Sequence, residues 1–156
     1  MRSGGFPCQN EGNGVGIRTS GITKYFNITI RNGTIQGMGD KGITLQGDSI
    51  LVEYMHIRSN GGSGIFVGSG FTGNNVIVQR NNVQLNDGIG IRLDGGLVAN
   101  NVVTQNPNGA IAFSFSTFGG FTQNVLTANG TPQISGNGTN LGQNLCNGAA
   151  CPGAVY

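Results

Sequence analysis

The sequence predicts an all-β solenoid in which about five to six coils, each with three short strands, stack on one another. A phrase of the type Gly-Ile-x-Leu recurs along the chain, and the isoleucines of its copies stand 26, 22, 26 and 20 residues apart. Glycine accounts for 30 of the 156 residues. This composition suits short strands joined by tight turns, because glycine tolerates the positive φ that many turns require.

The copies of the repeated phrase align into two columns of inward-facing residues. The first column is Ile17, Ile43, Ile65, Ile91 and Ile111, and the second is Thr19, Leu45, Val67, Leu93 and Phe113. The second repeat alternates apolar residues in three stretches, at Ile43 and Leu45, Ile50 and Val52, and Met55 and Ile57. Alternation of this kind indicates strands with one buried side.

An asparagine precedes the third strand of most repeats. The series is Asn32, Asn82, Asn101 and Asn124, with Tyr54 in the equivalent place of the second repeat. An asparagine at a fixed place in each coil can bond to the backbone at a turn and to its counterpart one coil away. We therefore expect an internal asparagine ladder.

The repeat divides the chain into three parts. Residues 1–13 are expected to form a lead-in or partial N-terminal cap, residues 14–145 the stacked coils, and residues 146–156 a C-terminal tail. Cys146 and Cys151 are close enough in sequence for a small disulfide loop, and this pairing would leave Cys8 without a cysteine partner. The alternative is three separate thiols.

Composition and charge exclude several partners. Only 9% of residues are charged, the net charge is +2, and no run of Lys or Arg occurs, so no nucleic-acid partner is expected. No apolar stretch approaches the roughly 20 residues that span a bilayer. The first residues also lack the apolar run of a signal peptide.

The Gly-Ile-x-Leu coils, the asparagine series and the ending Thr139–Gly148 together resemble right-handed parallel β-helix repeat proteins of the pectate-lyase-like superfamily. The resemblance covers roughly residues 14–151 and implies a right-handed parallel β-helix. That superfamily includes polysaccharide lyases, polygalacturonase-like hydrolases, phage tailspikes, adhesins and many secreted bacterial proteins without an assigned activity. The likeness is greatest to this last type, and it implies a secreted or cell-surface protein.

Catalytic residues are not identified by the sequence. The six carboxylates, Glu11, Asp40, Asp48, Glu53, Asp87 and Asp94, include no adjacent pair of aspartates such as the polygalacturonase-like enzymes use. No cofactor and no metal site are expected. Calcium has weak support, because Asp40 and Asp87 would lie about 10 Å apart, two strand spacings, which is too far to share one ion.

Two outward-facing sets of residues are candidates for binding. The third strand of each coil is expected to present a polar, amide-rich face, with Gln36, His56, Arg58, Gln84, Asn86 and Gln105 as the carbohydrate-binding residues. On the first strand, Phe66 and Arg92 lie one coil apart and form a candidate stacking pair. The alternative interpretation of that pair is surface packing through a cation–π contact.

The function expected from these features is a non-catalytic extracellular module that binds or presents to polysaccharide. One alternative is a structural, self-assembling solenoid, such as a filament or a piece of an adhesin. In that case copies would associate through the coil ends, where unpaired strand edges remain. A second alternative is a small polysaccharide lyase.

Overall fold

The structure is a computed structural model, and it describes residues 13–20, 24–68, 75–114 and 118–152. These residues form seventeen strands. The strands are β1 (Ile17–Arg18), β2 (Tyr25–Gln36), β3 (Ile43–Leu45), β4 (Gly47–Arg58), β5 (Ile65–Val67), β6 (Ile77–Gln79), β7 (Asn82–Gln84), β8 (Ile91–Leu93), β9 (Gly96–Ala99), β10 (Val102–Thr104), β11 (Ile111–Phe113), β12 (Gly119–Thr122), β13 (Val125–Thr127), β14 (Ile134–Ser135), β15 (Gly138–Asn140), β16 (Leu145–Cys146) and β17 (Ala149–Ala150).

The strands stack into three faces that wind around a common core. Face A is a six-stranded sheet in the order β1-β3-β5-β8-β11-β14. The second sheet has the order β15-β12-β9-β6-β4-β7-β10-β13-β16-β17, with β2 paired to β4. We call the part with β6, β9, β12 and β15 face B, and the part with β7, β10, β13 and β16 face C. All pairs are parallel except β16–β17, so the chain is a parallel β-solenoid of about five coils, and the predicted fold class is confirmed.

The first two coils differ from the later ones in the second sheet. β2 and β4 are each 12 residues long and run through both face B and face C without interruption. From the third coil onward the two faces are separate strands of two to four residues. Three strands per coil is therefore right for the later coils, while the second and third strands are joined in the first two.

The predicted isoleucine column forms the centre of face A. Ile17, Ile43, Ile65, Ile91 and Ile111 are paired in register, and the column continues to Ile134. From Ile43 onward these side chains are at most 3% exposed. They pack with the inward residues of faces B and C in one continuous core.

The predicted asparagine ladder is confirmed and contains Asn101 and Asn124 of the predicted series, but its other members differ and there is a second ladder. The first contains Asn81, Asn101, Asn124 and Asn144, and the second contains Asn60, Asn86, Asn106 and Asn129. Within each ladder the side-chain amide donates to the carbonyl oxygen of the next asparagine at 2.8–3.1 Å. Asn32 and Asn82, which we expected in the ladder, lie outside it.

The physical reason is a left-handed residue at each corner. Every ladder asparagine follows a residue whose φ lies between 53° and 58°, such as Arg80 before Asn81 or Leu85 before Asn86. That residue turns the backbone through the corner, and the next one points inward. Asn32 is itself the left-handed residue of its coil, with φ 59°, so its side chain is exposed.

The C-terminal end of face C is closed by a hairpin. β17 pairs antiparallel with β16, and a disulfide joins Cys146 to Cys151. The Cys151 side chain is 7% exposed and packs in the core cluster. In the described part of the chain, no helix is long and apolar enough to cross a membrane.

Candidate functional site

Four of the predicted binding residues share the outward side of face C. In one column Thr34, His56 and Asn82 are paired in register, followed by Val102, Val125 and Leu145. In the parallel column Gln36, Arg58 and Gln84 are followed by Thr104 and Thr127. Arg58 Nε donates to Gln36 Oε1 at 2.9 Å across one coil. The structure therefore brings Gln36, His56, Arg58 and Gln84 together.

Asn86 and Gln105 are not on this face, so their predicted placement is wrong. Asn86 is fully buried in the second ladder, where its Oδ1 accepts from the Asn60 amide and its Nδ2 donates to Asn106. Strand β7 ends at Gln84 and the left-handed Leu85 turns the chain inward. Gln105 is the left-handed residue of the next coil and projects from the corner beyond β10.

A groove runs along the corner between faces B and C. It is an open surface depression of about 400 Å³. Its lining residues are Tyr54, Met55, His56, Arg80, Asn81, Asn82, Asn100 and Val102. Tyr54, Arg80 and Asn100 are the left-handed corner residues of three successive coils. His56, Asn82 and Val102 are the first outward residues of face C in the same coils. We call this the corner groove.

The corner groove combines an aromatic ring, two basic side chains and amides. Arg80 Cζ lies 5.6 Å from the centroid of the Tyr54 ring, and Tyr54 is 48% exposed. The Asn82 Oδ1 atom is buried and has no hydrogen-bond partner. A ligand that donates a hydrogen bond to this oxygen would satisfy it. None of the residues that line the groove is a carboxylate. The neighbouring Glu53 belongs to face B, where its carboxylate accepts a hydrogen bond from Gln79 Nε2 at 2.9 Å.

Sequence reasoning missed Tyr54, Arg80 and Asn100 as groove residues. Arg80 and Asn100 directly precede members of the first ladder. Tyr54 directly precedes the position of the second coil that aligns with that ladder. A residue before a ladder position projects outward from the corner because its backbone is left-handed. Reading the ladder register correctly would have placed all three on the same edge.

The predicted stacking pair lies on face A, away from the corner groove. Phe66 and Arg92 are register partners on β5 and β8, and Arg92 Cζ is 5.3 Å from the Phe66 ring centroid. Within the described ranges, no group of three His, Cys, Asp or Glu side chains is placed to hold a metal ion.

Parallel strands that stack coil on coil around one core, with inward asparagine ladders, define a β-helix repeat protein. A sequence model of the family described as the right-handed β-helix region matches residues 7–129. The chain therefore belongs to the right-handed β-helix family, as its repeats predicted. Searches of curated proteins and of solved structures found no match.

Proposed function

We propose that this chain is a non-catalytic extracellular module that binds an acidic polysaccharide along the corner groove and face C. The observation that carries the proposal is the grouping of Tyr54, His56, Arg80 and Asn82 in one groove without a carboxylate. Arg presents a planar set of donors that fits a carboxylate or sulfate group. The exposed ring of Tyr54 offers an apolar surface for the C–H side of a sugar.

The repeat supports binding of a polymer rather than a single small molecule. Neighbouring strands lie about 4.8 Å apart, so a chain that follows the solenoid axis meets a new row of side chains at each coil. The rows on face C pass from Gln36, Arg58 and Gln84 to Thr104 and Thr127. The sugar hydroxyls would pair with these amides and hydroxyls, and one would donate to Asn82 Oδ1.

The disulfide supports an extracellular location. Disulfides persist in oxidising compartments and are rare in the cytosol of most organisms. Cys146 and Cys151 are joined at the closed end of the solenoid. This agrees with the secreted or cell-surface location that the family resemblance implies.

The test is a glycan array that includes neutral, uronate-containing and sulfated polysaccharides, followed by calorimetry on the strongest hit. Arg80→Ala should weaken binding at least about tenfold, which corresponds to roughly 1.4 kcal/mol. Gln123→Ala is the matched control, because Gln123 has the same left-handed backbone two coils away and lies outside the corner groove. Equal loss of affinity in both variants, or binding that Arg80→Ala leaves unchanged, would reject the groove as the site.

An activity assay on the same polysaccharide distinguishes binding from cleavage. Incubating the protein with the polyuronate, with and without calcium, and following the absorbance of unsaturated products measures lyase activity. We expect no product in either condition. Product that forms at a rate proportional to protein concentration would contradict a non-catalytic role.

A further inference from the structure

Three basic side chains form a row that crosses face C parallel to its strands. His56 and Arg58 are alternate, outward residues of β4, and Arg80 is the left-handed corner residue before β7 in the next coil. All three residues are exposed. Alternate residues of a strand lie about 7 Å apart, so His56 occupies the middle of the row with one arginine on each side.

Among the described residues, the groups that face His56 are basic or uncharged. Its register partners on β2 and β7 are a threonine and an asparagine. The lining of the corner groove adds Tyr54 and Arg80, and the next outward residue on β4 is Arg58. The carboxylate nearest in sequence, that of Glu53, lies on face B with its own hydrogen-bond donor. A charge on His56 would therefore add to the row rather than be neutralised within it.

Asn82 offers a partner to the protonated form of His56. The two residues are register partners on strands about 4.8 Å apart, and Oδ1 of Asn82 is buried without a hydrogen-bond donor. A neutral imidazole donates one hydrogen bond, whereas an imidazolium donates two. The charged form can therefore donate to Asn82 and to an anionic ligand together, and the neutral form can serve only one of them.

We propose that His56 makes polysaccharide binding pH-dependent, because its protonation completes a row of three cations that holds an acidic chain. Histidine is the side chain that changes charge between about pH 5 and 8, while arginine stays charged. The backbone positions of Arg80 and Arg58 are about 13 Å apart along the strand direction. This exceeds the Debye length of about 8 Å at physiological salt, so without His56 each arginine acts on the ligand alone. The inference rests on the polysaccharide binding proposed above.

Calorimetry with dextran sulfate and with polygalacturonate, each at about pH 7.5 and about pH 5.5, tests the proposal. The acid groups of both polymers stay ionised at both pH values, so a change in affinity reports on the protein. His56 is the only histidine of the chain. We expect the parent protein to bind at least about fivefold more tightly at the lower pH, as a charge-assisted hydrogen bond is gained. His56→Gln should bind equally at both pH values.

Two further variants separate the row from the net charge. The double variant His56→Gln/Thr127→His keeps one histidine but places it three coils away, on the exposed outward side of face C. It should show no pH dependence, because about 14 Å of screened distance separates the new charge from the row. His56→Arg should bind at both pH values as tightly as the parent binds at the lower one.

The outcomes distinguish this inference from the function on which it rests. A parent protein that binds with equal affinity at both pH values overturns the role of His56 and leaves polysaccharide binding intact. Dependence on pH that survives in His56→Gln, or returns with Thr127→His, also overturns it and assigns the effect to net charge. A parent that binds neither polymer at either pH value rejects the proposed function and this inference together.

Discussion

Asn81 donates from its side-chain Nδ2 to Asn101 Oδ1 at 3.0 Å, and its own Oδ1 accepts from the backbone N–H of Met55 at 3.0 Å. The same Nδ2 also donates to Val52 O. One side chain therefore ties three successive coils together. Because Asn81 is 2% exposed, water cannot replace any of these bonds.

Asn81→Ala should lower the free energy of unfolding by about 3 kcal/mol, because it leaves buried groups of Met55 and Val52 without partners. The adjacent Asn82 is the control. Its Oδ1 has no partner, so Asn82→Ala should change stability by no more than about 0.5 kcal/mol. Urea unfolding followed by circular dichroism measures both. Similar midpoints for the two variants would show that the ladder does not carry the stability assigned to it.

The fold and the core were predictable, because the residues that form them repeat. The isoleucine column has the same residue type at the same position of each coil, so its register can be read directly from the sequence. The ladder was less certain because the chain contains the pairs Asn81-Asn82 and Asn100-Asn101. The first member enters the ladder in one pair and the second member in the other, and only the position of the left-handed residue decides between them.

The corner groove could not be predicted for a related reason. A left-handed corner accepts chemically unrelated residues, here Tyr54, Arg80 and Asn100, so the column has no consistent sequence signal. The register of face C also shifts when the ladder is misread, by two residues in the third coil and by one in the fourth, because Arg58 pairs with Gln84 and Gln84 with Thr104. That shift moved Asn86 and Gln105 onto the predicted face and left Asn82 off it.

The glycines of the repeated phrase are needed for close packing between coils. A Cβ at Gly64 would lie 2.6 Å from Val83 Cγ1, 2.7 Å from Gly90 O and 2.9 Å from Asn86 Nδ2. Gly64→Ala should therefore cost about 1–3 kcal/mol of unfolding free energy, as overpacked cores do. Gly14 has nothing within 4 Å of the same position, so Gly14→Ala should be neutral or slightly stabilising. Thermal denaturation of the two variants makes the comparison, and a Gly64→Ala protein as stable as the parent would refute this explanation of the repeat.

Phe66 and Arg92 should stabilise face A through their mutual contact. A double-mutant cycle with Phe66→Ala and Arg92→Ala should give a coupling energy of about 0.5–1 kcal/mol, the range for a cation–π pair at an exposed site. The same variants should leave polysaccharide affinity unchanged, because the pair lies on face A and the corner groove does not. A loss of affinity without a loss of stability would assign the pair to ligand stacking.

The disulfide should stabilise the closed end of the solenoid. It closes a loop with a sequence separation of 5 residues, for which chain entropy gives about 2 kcal/mol. Hydrogen bonds from Cys151 N to Asn144 O and from Asn140 Nδ2 to Cys151 O hold the same segment, so the hairpin should loosen rather than detach when the bond is broken. A reducing agent should lower the urea midpoint of the parent protein and leave that of Cys146→Ala/Cys151→Ala unchanged. If the parent's midpoint does not respond to reduction, the first ladder and its terminal Asn144 hold the closed end without the covalent link.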